Sequence, residues 1–239
     1  MRTPIVRHPI AISYAAFACL LSQAAMAQEE VHAVPIEKAP FHLPVFKNEY
    51  VTVLKIDVPP RRNTGFHTHT TDSVSVNIEA ADMANQLPGE KQTPPQHSKR
   101  GQPNFTAYTN QPPRTHKASN VGETPFHNVS FLFNYPKPGR FSPSSREGVS
   151  GYTQIMDNER VRGWRLVLEP GQTAGSFTQT APGVRIVLDG SEIAELVPGQ
   201  GDRGMNLRMG EFYWQDPGLT RAVRNTGTTR LELFEFELK

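Results

Sequence analysis

The chain repeats itself, and the repeat limits its fold more than any other feature. Asn48, Glu49 and Val51 recur as Asn158, Glu159 and Val161, and Pro60 recurs as Pro170, at a spacing of 110 residues. At the same spacing Val74, Val76 and Ile78 fall on Val184, Ile186 and Leu188. Further on the spacing is 105: Tyr108 meets Tyr213, Pro112 meets Pro217 and Thr115 meets Thr220. Asn120, Gly122, Thr124 and Phe131 then meet Asn225, Gly227, Thr229 and Phe236. A five-residue length difference in the middle loop reconciles the two registers. So many identities in order imply two copies of one domain. The units within each copy are strands. Residues 72–78 alternate polar and apolar, residues 51–58, 131–133 and 231–236 read the same way, and prolines and glycines punctuate them. No long stretch keeps an apolar period of 3.6. The expectation is an all-β chain of sandwich or barrel type.

The first stretch stands apart from this pattern. Arg2 and Arg7 make a basic start, residues 10–21 form an apolar run, and Ala25 and Ala27 are small residues at the positions a signal peptidase reads. The run is short for a membrane span. Residues 1–27 therefore read as a secretory signal, with a mature chain from Gln28 in the periplasm or outside the cell; the alternative is an uncleaved anchor. Removing the two arginines brings the formal charge from +2 to 0. The basicity is then a targeting feature and gives no reason to expect nucleic acid or stable membrane insertion. The single cysteine, Cys19, leaves with the signal, so the mature chain has neither disulfide nor thiolate chemistry. A polar Pro/Ser segment at 136–145 marks the boundary between copies. It divides the chain into an N-terminal domain, 28–140, a linker, 141–150, and a C-terminal domain, 151–239. Residues 84–103, with four prolines, read as a long loop of the first domain.

Three histidines carry the chemistry. His67 and His69 are two apart on a short extended run, so both imidazoles leave the same face. His116, on a later strand, would complete a cluster for a divalent metal. Asp72 shares the parity of Val74, Val76 and Ile78 and so points inward. A buried carboxylate needs a partner, and the preferred one is the metal, with Asp72 as a fourth ligand beside His67, His69 and His116; the alternative is a carboxylate satisfied by backbone N–H groups. Thr68 has the opposite parity. His42, His97 and His127 belong to no motif and read as loop or surface histidines, and His32 lies near the mature terminus.

These residues resemble the cupin superfamily, and in particular a two-domain bicupin. The family's first motif is a glycine, five residues, His-x-His, then three or four residues and Glu. His67 and His69 match it. The second has a Pro/Gly-rich approach, then His, three residues and Asn. His116 and Asn120 match it, after Pro112 and Pro113. The chain departs twice: Arg61 stands at the glycine position, and the acid is Asp72, only two residues beyond His69. The resemblance implies tandem jelly-roll domains with one metal in the first. It also implies dioxygenase, isomerase, decarboxylase or lyase chemistry on a small molecule.

The second copy has lost the ligands. His67, His69 and Asp72 correspond to Phe177, Gln179 and Pro182, and His116 corresponds to Arg221. Gly171 keeps the motif's glycine. Arg221 could grip an anion, but the favoured reading is that it pairs with an acid or reaches solvent. Imidazoles with at most one carboxylate suit Fe(II), Mn(II), Zn(II), Ni(II) or Cu(II) without choosing among them. The leading expectation is a metal-dependent enzyme acting on a small, oxygen-bearing molecule. The alternatives are a non-catalytic binder of a metal or small ligand, and a structural cupin stiffened by its metal. No general base stands out; Tyr108 and Ser75 are near the motifs in sequence only. Oligomeric state is left open.

Overall fold

The computed structural model describes residues 32–136 and 139–239. The segment read as a signal, 1–27, lies outside them. The described chain is built of strands, with one 3-10 turn at Ile36–Lys38 and no α-helix among the described residues. The described residues form one compact unit.

The repeat is visible strand by strand. The first large sheet runs His42–Lys47, Val51–Val58, Phe126–Phe133, Ser73–Glu79, Pro103–Thr106, in that spatial order. The second runs Tyr152–Asp157, Val161–Leu168, Leu231–Leu238, Gly183–Asp189, Phe212–Gln215. A smaller sheet closes each half. In the first it is Val34–Pro35, His67–His69, Arg114–Asn120, Asp82–Gln86, Gln96–His97. In the second it is Phe177–Thr178, Thr220–Asn225, Glu192–Leu196, Arg203–Asn206. The stretch 84–103, read as one long loop, thus contains the end of one strand, all of a short one and the first residue of a third.

Side-chain hydrogen bonds repeat with the backbone. Asn120 Nδ2 donates to Val58 O and Thr124 O, and its Oδ1 accepts from Gly122 N. Asn225 makes the same three bonds with Leu168, Thr229 and Gly227. Thr68 and Thr115 share a hydroxyl bond of 2.8 Å, and Thr178 and Thr220 one of 2.7 Å. One correspondence needs correction. Ser73 pairs with Thr106 while Gly183 pairs with Gln215, a spacing of 109 in the partner strand. Tyr213 is therefore the counterpart of Asn104, and Tyr108 belongs to a turn that the second copy lacks. Most of the length difference sits after Thr106.

The two large sheets pack on each other. Val51, Val53, Val74, Val76, Ile78, Phe131 and Phe133 share one buried cluster with Val161, Val184, Ile186, Leu188, Phe234 and Phe236. Phe131 and Phe236 meet with ring centroids 5.5 Å apart. The alternating apolar side chains thus face the other copy. The opposite faces, with Ser73, Ser75 and Ser130, turn into the first barrel. Burial on both faces is what makes these antiparallel strands so apolar.

Arg61 occupies the family's glycine position with φ of 61°, and its counterpart Gly171 has φ of 80°. The turn needs left-handed backbone in both copies, and a non-glycine residue is strained there. Arg61→Gly should raise the thermal midpoint by roughly 2–4 °C. The substitution also removes the exposed Arg61–Glu123 ion pair, which contributes little to stability. A calorimetric midpoint that is unchanged or lower would show that the turn is not strained.

Candidate metal centre

His67 pairs with His116 across two antiparallel strands, and His69 pairs with Arg114. Cross-strand neighbours on one face have Cβ atoms about 5 Å apart. The three imidazoles therefore converge, with centroid separations of 4.6 to 5.1 Å. One ring nitrogen from each lies within 4.8 Å of the others, a group that could hold a metal ion.

The nitrogens are set up for this. His67 Nδ1 lies 3.2 Å from Gly65 O and His116 Nδ1 lies 3.2 Å from Asn85 Oδ1. As donors to those oxygens, both rings keep a free Nε2 lone pair, the arrangement typical of ligating histidines. His69 Nε2 and His116 Nε2 are 2.9 Å apart. Two nitrogens at right angles around an ion, each about 2.1 Å from it, would be separated by about 3 Å. The donor set fits a divalent ion.

Electrostatics agree. Burial, with the neighbouring His116, pushes His67 and His69 down to about 3. Burial and the Arg114 guanidinium push His116 down to about 4. Neutral imidazole is the form that binds metal. The same shifts set a pH dependence for the metal-free protein. The unfolded chain takes up protons near pH 6.5 and the folded site does not, so stability is complete above that pH and falls below it. The slope is up to about 1.4 kcal/mol per pH unit for each histidine. Denaturant midpoints of apoprotein should drop between pH 6.5 and 5, before most carboxylates titrate. A flat midpoint across that window would contradict the shifts.

Asp72 is not part of the cluster. Its carboxylate accepts from Tyr108 N at 2.8 Å and Thr109 N at 2.7 Å, and Arg160 Nε approaches it at 3.4 Å. Its parity does point inward, but inward here means toward the second copy. Asp72 lies on the face of Val74 and Val76, and the histidines look into the barrel beside Ser73 and Ser75. The preferred reading of Asp72 as a fourth ligand is thus corrected: backbone N–H groups, the alternative partners, take the place given to the metal.

Two residues near the cluster carry more than their sequence context suggests. His42 packs on His67 at 4.9 Å, and the counterpart pair, Tyr152 and Phe177, packs at 5.3 Å. The repeat holds the signal that could reveal this, since an aromatic ring, His42 or Tyr152, stands at the equivalent position of each copy. Tyr108 stacks on His69 at 4.9 Å, and burial raises its hydroxyl above its ordinary range. His97 and His127 match their ordinary reading, facing Asp82 and Glu79. The cavity around the cluster has a volume of about 290 Å³. Ser75, Thr106, Asn104 and Ser130 line it along with Ile56, Val58, Phe126 and Leu132.

The equivalent interior of the second copy is filled with ion pairs. Ser75, Asn85, Ser130 and His116 are replaced there by Arg185, Glu195, Glu235 and Arg221. Arg185 contacts Glu195 at 2.8 Å and Glu235 at 2.7 Å. Arg221 donates to Gln179 and Gln215 and lies 3.6 Å from Glu195. Burial alone would raise Glu235, but Arg185, Arg146 and Arg221 hold it well below the carboxylate range. Arg146, from the segment read as a linker, is buried over the Phe177 ring at 3.9 Å. Of the two ordinary fates expected for Arg221, it is the acid and not solvent that it meets, since the side chain is buried.

No family model matches the chain, and no curated protein matches its sequence. Solved structures do match. AerE from Microcystis aeruginosa superposes with a TM-score of 0.58 at 9% identity, over 84% of this chain and 98% of its own. The salicylate 1,2-dioxygenase of Pseudaminobacter salicylatoxidans gives 0.54 at 12% identity, over 79% and 71%. The chain has a bicupin fold. A structure of the same dioxygenase with gentisate adducts gives 0.53 at 14% identity, over 81% and 70%. These identities establish the fold alone, and the bicupin's own residues must carry its chemistry.

Proposed function

We propose that this bicupin is a metal-dependent enzyme acting on a small, oxygen-bearing molecule, with His67, His69 and His116 as the metal ligands. The observation that carries the reading is the three-histidine cluster standing in a cavity of mixed polar and apolar lining. A divalent transition metal held by three imidazoles would supply a Lewis acid with positions left for a substrate oxygen, water or O2. Tyr108 and His42 flank the cluster and shape the space beside it. The serines and Asn104 offer hydrogen bonds to a polar substrate, and Ile56, Val58 and Leu132 exclude water from one wall. A metal serving only to stiffen the barrel would not need such a cavity.

The solved relatives include a dioxygenase, so oxygen consumption is the first activity to test. Iron, manganese, copper, nickel and zinc forms would be screened against hydroxylated aromatic and aliphatic acids with an oxygen electrode, and by product analysis for isomerase, decarboxylase and lyase reactions. The expected result is turnover with one metal that His116→Ala abolishes. Metal uptake without turnover of any substrate would favour a binding protein. Export from the cytoplasm through residues 1–27 belongs to the same proposal, as do the domain limits 28–140 and 151–239. Mass spectrometry of the exported protein should find Gln28 as its first residue.

A further inference from the structure

We infer that the ligand of the first barrel is a small organic carboxylate, held between the three-histidine cluster and Arg114. The inference rests on the metal-dependent reading of the same cavity. Arg114 and His116 are two apart on one strand, and Arg114 stands opposite His69. Its side chain therefore shares the face of the three imidazoles. It is exposed, at the mouth of the cavity.

The charge pattern is one-sided. The residues lining the cavity include Arg114 and four histidines, and none is Asp or Glu. Three imidazole ligands bring no negative charge to a dication. Asp72, the nearest acid in sequence, is engaged by Tyr108, Thr109 and Arg160.

The second barrel shows what the fold does when interior cations are structural. There Arg185 and Arg221 meet Glu195 and Glu235. In the first barrel the positions of those two glutamates hold Asn85 and Ser130, both lining the cavity. The counter-charge present in one copy is missing from the other, at the place where a ligand would sit. A guanidinium matches a carboxylate with two parallel hydrogen bonds. The cavity of about 290 Å³ admits a small acid, and its serines and Asn104 suit a hydroxyl beside the carboxylate.

Calorimetric titration of the full mature chain, metal-free and Ni(II)-loaded, with mandelate and its uncharged amide tests this. Mandelate should bind roughly tenfold or more tightly than mandelamide. Arg114→Gln, an exposed substitution, should remove that preference by weakening mandelate alone and leave nickel content unchanged. Equal binding of acid and amide, mandelate affinity unchanged in Arg114→Gln, or no binding of mandelate at millimolar concentration would overturn the inference. Nickel content is measured separately. A chain that takes up no nickel but still loses mandelate through Arg114→Gln would sink the metal reading and keep the carboxylate site. One that takes up nickel and shows no effect of Arg114 would do the reverse.

Discussion

Asp72→Asn should destabilise the metal-free protein by about 3–5 kcal/mol while changing metal affinity by no more than about twofold. The carboxylate is fully buried. It accepts two backbone N–H groups, from Tyr108 and Thr109, and it faces the equally buried Arg160 of the second copy. Asparagine keeps the shape but removes the charge, leaving the guanidinium of Arg160 uncompensated in the interior. The loss falls on the packing of the two copies and on the turn that carries Tyr108 to His69. It does not fall on a metal ligand. Denaturant unfolding of the apoprotein, paired with metal titration of the same variant, separates these. A large drop in metal affinity with unchanged apo stability would return Asp72 to the ligand set.

His116→Ala should lower metal affinity by roughly a hundredfold or more. His67 and His69 come from one three-residue strand, and two imidazoles alone make a weak site for a divalent ion. His116 supplies the third nitrogen from a neighbouring strand, held by Asn85. The loss of one donor should therefore show in affinity while the fold is retained, because the ring is only partly buried. Arg221→Ala, at the equivalent position of the second copy, is the control: it should reduce stability, since it breaks a buried ionic network, and leave metal affinity alone. Metal binding that survives His116→Ala would place the ligands elsewhere.

The architecture is legible in the sequence because the repeat carries it. Strand pairing is set by alternation, and identical residues recur where the fold repeats a bond, as Asn120 and Asn225 do at the same turn. The histidine triad is legible for the same reason: His67 and His69 lie two apart, and Phe177 and Arg221 in the second copy are opposite each other as His67 and His116 are. Asp72 is harder because parity gives a face and not its destination. In a tandem fold the large sheet is buried on both sides, and its apolar face packs against the other copy. An acid on that face is as inward as a metal ligand would be. Tyr108 escapes the alignment because its turn has no counterpart, and His42 escapes notice because it belongs to no short motif. Strand alternation hides the arginine and glutamate interior of the second barrel, since it registers polar residues as facing solvent. Here they face one another.

Metal content per chain tests the central claim most directly. Protein purified without chelator and dialysed should contain one divalent transition metal per chain by elemental analysis, lost in His116→Ala and retained in Arg221→Ala. A value near zero after exposure to each candidate metal, or a value near two, would contradict a single three-histidine centre in the first barrel.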